Sequence, residues 1–367
     1  MKRVRIGNGC GFWGDNLDAP LLLAQVGKLD YLTLEYLAEL TMSILALQKQ
    51  RDPQAGFATD FLQVLQSLIP ILQAQPKLKI VTNAGGMNPN ACAAKAREIL
   101  DKAGLSQRNI AIVTGDDLLP RLDQILAAGH ALANMDTGAP LSDIRPRIVS
   151  ANAYVGSRPI AEALKRGASI VITGRVADAA LTVAPLVHEF GWRWDDWDRL
   201  CAASVAGHLL ECGAQATGGL WCNWQEMSAL ANVGYPIVEA EEDGSFTISK
   251  PFNSGGAVNE ETVTEQLLYE VGDPAAYLTP DVTADFTTVN IFDFGNDFVG
   301  VGNAHGKPAT DSYKVSIAYR DGWTASGTLL IAGPDAVAKA KKCGAVILER
   351  LARADVVPER SHVECLG

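Results

Sequence analysis

The chain has 367 residues, of which 48% are hydrophobic and 20% are charged, and this composition excludes an intrinsically disordered chain. Its length predicts roughly two domains, at about 150 residues each. Lysine and arginine total 31 against 42 aspartate and glutamate residues, so the net charge is −11. A non-specific nucleic-acid binder needs clustered cations to neutralise phosphates, and this charge balance argues against one.

Cysteine usage and hydropathy predict a cytoplasmic protein. The seven cysteines are dispersed and include no CxxC pair, which argues against a disulfide framework and against a zinc cluster. The first residues lack the continuous apolar run of a secretion signal. The most apolar stretch, 169–190, is interrupted by Arg175, Asp178 and Pro185, so we expect no membrane span and no membrane partner.

The first half of the chain repeats a short β-branched run, a polar or glycine turn and a segment of helical period, which is typical of a parallel α/β sheet. The clearest helix is Phe57–Gln75, whose apolar residues recur at i, i+3, i+4, i+7 and i+11. Another begins at Asn88-Pro89, a cap residue followed by proline. The predicted strands are Val4–Asn8, Tyr31–Leu34, Leu78–Asn83, Ile110–Thr114, Ala131–Asp136, Ile148–Ala153 and Ser169–Thr173.

The second half has a different pattern. A helix is predicted over Cys201–Cys212, and a hairpin is predicted from Tyr313–Tyr319 to Thr324–Ala332 around the Asp321-Gly322 turn. A closing helix covers Asp335–Leu351. The expected fold is therefore α/β, with a mostly parallel, Rossmann-like sheet covered by helices on both faces over 1–190 and a smaller α+β domain over 191–367.

The segment Gly9–Gly14 reads GCGFWG, which has the GxGxxG spacing of a dinucleotide-binding turn, and Glu35 ends the next strand. Phe12 and Trp13 are bulky, and Asp15 is negatively charged. These properties disfavour close approach of the turn to a pyrophosphate. NAD(P) binding is therefore the minor alternative. The other interpretation is a glycine turn with an aspartate capping the next helix.

A second turn, Thr82–Pro89, also joins a strand to a helix N-terminus, where exposed amide groups favour an anion. We expect a carboxylate or phosphate to bind at Asn83, Gly85 and Gly86, together with Gly9 and Gly11 of the first turn. The alternative is a tight connection with no ligand.

Polar residues end several predicted strands, and parallel strands bring such ends to one edge of a sheet. We expect Asp136 and Arg175 to orient a substrate carboxyl group or to transfer protons. The alternative for Arg175 is an ion pair with Asp178. The strand-end residues are Asn8, Glu35, Asn83, Asp136, Asn152 and Arg175.

Two further segments carry candidate residues. His208, Glu211 and Cys212 share one helix face through i, i+3 and i+4 spacing, and His208 or Glu211 is a candidate acid or base; zinc needs a third ligand that the spacing does not reveal. The loop with Asn253, Gly255 and Gly256 follows a lysine and is a candidate for holding the acidic part of a ligand. A domain linker is the alternative.

Six sequence blocks carry a resemblance to one family. They are Gly11–Asp15, Asp30–Leu32 with Tyr36–Met42, Val81–Gly86, Thr173–Asp178, His208–Gly213 and Gln266–Glu270. Over nearly its whole length the chain resembles the acyclic terpene utilisation (AtuA-like) family. The resemblance implies bacterial catabolism of branched terpenoid acids through CoA thioesters, and it does not imply a mechanism.

These observations lead to three hypotheses. The first is an enzyme that acts on a branched carboxylic acid or its acyl-CoA thioester by acid/base hydratase, lyase or isomerase chemistry, with no cofactor except the CoA of its substrate and no metal. Its candidate catalytic residues are Glu35, Asp136, Arg175, His208 and Glu211. The second is an NAD(P)-dependent oxidoreductase, and the third is a non-catalytic subunit. We also expect a homo-oligomer; because some relatives carry an extra C-terminal domain, a small companion subunit is possible.

Overall fold

The computed structural model describes residues 2–366, and the chain divides between Arg320 and Asp321 into two compact units. The first unit carries all the strands of the described residues and nine α-helices. Its strands are β1 (Arg3–Asn8), β2 (Tyr31–Leu34), β3 (Lys79–Thr82), β4 (Ile110–Val113), β5 (Ile148–Ala153), β6 (Ile170–Thr173), β7 (Ile237–Glu241), β8 (Phe246–Ser249), β9 (Tyr277–Leu278), β10 (Thr283–Asp285), β11 (Asn290–Asp293), β12 (Phe298–Gly302), β13 (His305–Lys307) and β14 (Val315–Tyr319).

Most helices of the first unit lie between its early strands. They are α1 (Ala19–Val26), α2 (Glu39–Arg51), α3 (Asp60–Ala74), α4 (Pro89–Lys102), α5 (Leu122–Ala127), α6 (Arg158–Lys165), α7 (Ala180–Phe190), α8 (Trp197–Glu211) and α9 (Glu260–Leu268). The second unit contains α10 (Ala336–Arg353). None of the helices in the described residues combines the length and the apolar composition that crossing a bilayer requires.

A nine-stranded mixed sheet organises the first unit, in the order β11-β12-β8-β7-β1-β2-β3-β6-β4. In this order, the strands from β1 to β4 pair in parallel. Strand β7 pairs with β1 in the antiparallel sense, and β8, β12 and β11 each pair antiparallel with the strand before them in space. The mixed α/β class is therefore confirmed. The sheet takes strands from both segments, 1–190 and 191–367, that the sequence predicts as domains.

The core lies on both faces of this sheet because successive strand residues point to opposite sides. In β6, Val171 belongs to one buried cluster, whereas Ile170 and Ile172 belong to the other. Residues of α1, α3 and α4 fill the second cluster, and residues of α6, α7 and α8 fill the first. Helices consequently cover the sheet on both sides.

The helix predictions from periodicity and capping are confirmed. The predicted helix Phe57–Gln75 is α3, and its apolar stripe, which includes Phe61, Leu65 and Leu72, is buried. At the start of α4, the Asn88 side chain accepts a hydrogen bond from the Ala91 amide at 3.3 Å. This cap satisfies an amide that would otherwise lack a partner in the first turn.

Strand β5 has the predicted bounds but not the predicted neighbours. It pairs with β14 in a separate two-stranded antiparallel sheet, so Asn152 does not end a strand of the main sheet. A three-stranded sheet of β13, β10 and β9 is also separate. A short apolar run predicts a strand but does not identify which sheet the strand joins.

Two predicted strands are wrong. Residues 131–136 form a loop bonded mainly to itself, as in the bonds from the Gly138 amide to Asn134 and from the Asn134 amide to Ala139. Gly129 and Gly138 flank it with positive φ, and the run contains no β-branched residue to favour extension. Residues 324–332 likewise form no strand.

Candidate functional site

A cavity of about 1010 Å³ opens in the first unit, within the size range of small-molecule sites. Three of its lining residues follow parallel strands of the main sheet: Gly11 after β1, Glu35 after β2 and Arg175 after β6. The carboxyl ends of parallel strands form the usual ligand crevice of such sheets. Further lining comes from the end of α8, from β9 and from the exposed loop that precedes β14.

Glu35 is a buried carboxyl in the wall of this cavity and is 4% exposed. Its Oε1 accepts hydrogen bonds from the Leu37 amide at 3.0 Å and from the Asn83 side chain, whereas its Oε2 has no partner. Burial, and then the charge of Asp178, raise the pKa of Glu35 well above its usual range. The neutral, protonated form is therefore favoured.

Arg175 is 2% exposed and is bound on several sides. Its Nη1 donates to the Leu37 carbonyl at 2.7 Å, and its Nη2 lies 2.9 Å from Asp178 Oδ1. Its guanidinium carbon lies 4.1 Å from the centre of the Tyr154 ring, within cation–π distance. Arg175 is thus an immobile positive charge beside the cavity.

The backbone of Arg175 is held by a buried clamp. Asp116 Oδ2 accepts from the Arg175 amide at 3.0 Å and from Asn152 Nδ2 at 2.8 Å. Asn152 therefore contacts Asp116 and does not itself line the cavity. The clamp fixes the turn from which both Arg175 and Asp178 project.

Asp178 presents one free carboxylate oxygen to the cavity. Its side chain is 34% exposed, and because the residue lines the cavity, this exposure is towards the cavity interior. Oδ1 is inaccessible and faces Arg175, whereas Oδ2 is accessible and accepts no hydrogen bond from a described residue. Partial removal of the carboxyl group from water within the cavity raises the pKa of Asp178 to about 7, although the charge of Arg175 lowers it. Asp178 can therefore gain or lose a proton near neutral pH.

Tyr154 contacts two cations. Arg175 lies over its ring, as described above, and Lys314 Nζ lies 4.7 Å from the ring centre. The Tyr154 hydroxyl donates to Glu39, which also pairs with Lys314 at 3.1 Å. Burial opposes ionisation of Glu39, but the hydrogen bonds from Tyr154 and Lys314 lower its pKa to about 2. Glu39 and Lys314 therefore neutralise each other.

His208 and Glu211 form a second pair on α8. His208 is 1% exposed, and its Nδ1 lies 3.0 Å from Glu211 Oε1. Burial acts to lower the pKa of His208, but the hydrogen bond and charge of Glu211 outweigh it and raise the pKa above its usual value. Asn8 Nδ2 holds the end of the helix by donating to the Leu210 and Glu211 carbonyls at 2.6 and 2.9 Å.

The cavity lining is rich in acidic side chains. Its cations, Arg175 and Lys314, are each paired with a carboxylate. No group of three or more metal-ligating side chains with metal-site geometry occurs within residues 2–366. The lining carboxylates are Asp15, Glu35, Glu39, Asp178, Glu211 and Glu270.

The sequence matches the family described as acyclic terpene utilisation family protein AtuA, over residues 4–367. The chain belongs to the AtuA family. The match spans essentially the whole chain and includes every residue of the cavity. The family is implicated in acyclic terpene utilisation, which is consistent with a catabolic role. Neither the curated proteins nor the solved structures include a match to this chain.

In this AtuA-family chain, the structure brings a subset of the predicted site residues together. Gly11, Glu35, Arg175, His208 and Glu211 line the cavity. Behind its wall lie Asn8, which bonds to the end of α8, and Asn83, which bonds to Glu35. Gly9 packs closely against Pro20 and does not line the cavity.

Other predicted residues lie elsewhere. Asp136 is exposed in the loop that replaces the predicted strand, so it does not lie at the carboxyl edge of the sheet. Asn253 is exposed, and Gly255 and Gly256 pack against neighbouring backbone, outside the cavity lining. The preceding Lys250 is bound to Asp297 at 2.9 Å, so its charge is already matched within the fold.

The first glycine turn is occupied by its own aspartate. Asp15 Oδ2 accepts from the Gly11 amide at 2.8 Å, and Asp15 Oδ1 accepts from the Tyr235 hydroxyl at 2.5 Å. A dinucleotide turn needs its amides free for the pyrophosphate. In addition, α1 begins only at Ala19, several residues after Gly14, so the glycines do not open the helix.

The second glycine turn is closed by packing. Gly86 has a φ of +48°, and a Cβ there would overlap the buried Leu45 side chain. We expect Gly86→Val to reduce the free energy of unfolding by about 3 kcal/mol, because left-handed strain adds to overpacking. Urea denaturation measures this. The control is Gly104→Val, with a φ of +71° and no atom within 4 Å of the added carbon; there we expect a loss of about 1 kcal/mol from left-handed strain alone. Equal losses would contradict the packing explanation.

Sequence reasoning missed three important residues of the cavity. Tyr154, Tyr277 and Lys314 lie far apart along the chain and belong to no recognisable motif. From the sequence, Asp178 is expected only as an ion-pair partner of Arg175. Its position in the Thr173–Asp178 block, directly after a strand end, was the available signal.

Proposed function

We propose that this chain is a catabolic enzyme that moves a proton at the carbon next to the carbonyl of a branched acyl-CoA thioester. The single observation that carries the proposal is the Arg175–Asp178 pair at the cavity wall, with Asp178 Oδ2 free and its pKa at about 7. A general base with a pKa near the working pH combines sufficient basicity with sufficient deprotonated population.

The proton step is common to the three reaction classes that the sequence leaves open. A hydratase, an isomerase and a carbon–carbon lyase acting next to a thioester all pass through the enolate of that thioester. In the step proposed here, Asp178 Oδ2 takes the proton, the C–H electron pair forms the C=C bond, and the carbonyl electron pair moves onto oxygen. The negative charge leaves Asp178 and appears on the enolate, so the net charge of the cavity is unchanged.

The charges of the lining favour a thioester over a free carboxylic acid. A free carboxylate would meet five other acidic side chains besides the protonated Glu35, and both lining cations are already paired. A thioester carbonyl is neutral and avoids this repulsion. Its α-protons are also more acidic than those of a carboxylate, because the carboxylate charge opposes enolate formation.

Glu211 and His208 supply the second acid/base group of the proposal. His208 holds Glu211 Oε1, and Glu211 lines the cavity. We assign to this pair the proton of the hydroxyl group or water that is added, removed or deprotonated in a hydratase or lyase. Glu35 and Arg175 then act by fixing the wall around Asp178.

Deuterium exchange tests the proposal before the natural substrate is identified. The probe is 3-methylbutanoyl-CoA in D₂O, which can be neither hydrated nor cleaved but can exchange its α-protons. We expect the wild-type protein to raise the mass of the acyl group by up to 2 Da, and 3-methylbutanoate to show no exchange. No enzyme-dependent exchange into the thioester would contradict the proposed function.

The other two hypotheses predict different results. An NAD(P)-dependent oxidoreductase would bind NADH, visible by fluorescence titration, but the Gly11 amide that such binding uses is bound to Asp15. A non-catalytic subunit would show no exchange alone and would gain it with a companion protein. The proposal therefore requires exchange by the isolated chain without added nicotinamide.

A further inference from the structure

Tyr277 is held in the cavity by stacked rings. It lies on β9, which pairs with β10 through Ala284. Its ring stacks on Phe286 with centres 4.8 Å apart, and its centre lies 5.5 Å from that of the His208 ring. Phe286 and His208 are both buried. These contacts fix the ring, and with it the position of the hydroxyl group.

The Tyr277 hydroxyl has no partner within the described residues and remains accessible to solvent. Two other tyrosines of the cavity differ, because Tyr154 donates to Glu39 and Tyr235 donates to Asp15. Tyr313 also lines the cavity, but it is 61% exposed in a loop. Tyr277 is therefore a fixed donor whose hydrogen bond is still available.

The environment keeps this hydroxyl protonated. Burial raises the pKa of Tyr277, and the nearby charges of Glu211 and Asp178 raise it further. A tyrosine in such surroundings remains a neutral donor at physiological pH. It can therefore give a hydrogen bond to an oxygen that gains negative charge.

We propose that the Tyr277 hydroxyl binds the carbonyl oxygen of the acyl thioester and stabilises the negative charge that develops on that oxygen. This inference rests on the proposed function and makes Tyr277 a further catalytic residue. When Asp178 Oδ2 takes the α-proton, the electron pair of the broken C–H bond becomes the new C=C bond, and the displaced carbonyl pair moves onto the oxygen bound by Tyr277. Tyr277 keeps its own proton throughout.

Charge balance explains why a neutral donor suits this position. Arg175 and Lys314 are committed to Asp178 and Glu39, so neither is free to bind the carbonyl oxygen. A donor that is aimed before the reaction needs no reorganisation as the charge develops, and this makes its contribution large. The acidity of the remaining lining increases the need for such a donor.

Carbonyl infrared spectroscopy tests the inference directly. The probe is 3-methylbutanoyl-CoA with ¹³C at the carbonyl carbon, and its difference spectrum is recorded on binding to the full chain. We expect wild-type protein to lower the carbonyl stretching frequency, and Tyr277→Phe to abolish that shift. The same variant should slow α-proton exchange by roughly 100-fold, the usual effect of losing one such donor.

Tyr269→Phe is the matched control, since it removes another hydroxyl from the same cavity lining. It should keep the carbonyl shift. A shift retained in Tyr277→Phe, or lost equally in both variants, would overturn the inference. A shift that depends on Tyr277 in a protein without exchange activity would support the hydrogen bond and contradict the proposed function. If the wild-type protein does not bind the probe, both proposals are wrong.

Discussion

Asp178→Asn will slow α-proton exchange into 3-methylbutanoyl-CoA by roughly 1000-fold, within the range that general-base catalysis contributes. The amide cannot accept the proton, while its shape preserves the packing against Arg175. Exchange measured by mass spectrometry in D₂O provides the comparison. Glu270→Gln is the control, because it removes an exposed carboxylate of the same lining, and it should retain most of the rate.

The pH dependence identifies the group more specifically. Because the pKa of Asp178 is about 7, the fraction of its carboxylate increases as the pH passes through 7. For the wild type, kcat/KM for exchange should therefore rise with pH and reach a plateau above about 8. In Asp178→Asn this rise should disappear. Full activity of a folded Asp178→Asn variant, or a rate that falls with pH over this interval, would rule out Asp178 as the base.

Arg175→Met will move the same pH transition to higher pH and lower the exchange rate at pH 7 by roughly 100-fold, or about 2.7 kcal/mol. Arg175 lowers the pKa of Asp178 by favouring its charged form. Without this cation, deprotonation of Asp178 requires a higher pH. The rate at pH 7 falls because less of the base is ionised, and because the wall loses the bond to the Leu37 carbonyl.

Lys314→Met is the matched control for that variant. Lys314 is the other cation beside Tyr154, and its charge also lowers the pKa of Asp178, but more weakly than the charge of Arg175 does. We expect a shift in the same direction but smaller. Thermal unfolding of both variants shows whether the fold persists. Equal shifts, or no shift in folded Arg175→Met, would show that the Arg175–Asp178 pair does not control the titration.

Local sequence patterns predicted the elements that are marked by helical period, by capping residues or by the alternation of strands and helices. The stripe of α3 and the Asn88 cap of α4 are examples, because the stripe repeats within one helix and the cap bonds to an amide three residues later. Glu35 and Arg175 line the same cavity because parallel strands bring their carboxyl ends together. The mixed α/β class followed from the same repeated pattern.

Features that depend on distant pairing were not predictable in this way. The pairing of β5 with β14 joins residues about 165 positions apart, and it removes Asn152 from the main sheet. The loop around Asp136 has the apolar composition of a strand but no partner strand. Tyr277 and Lys314 line the cavity from segments late in the chain, so no local motif marks them.

Because α8 is buried and two loops of the cavity wall are exposed, these parts of the wall should open on different timescales. Every residue of this helix from Leu200 to Leu210 is buried, so its backbone amides can exchange with solvent deuterium only when the unit unfolds. The loops at 130–140 and 308–313 are mostly exposed and bonded to themselves, and their amides should exchange rapidly. A ligand in the cavity should therefore protect the loop amides directly. It should slow exchange in α8 only as much as it stabilises the whole unit.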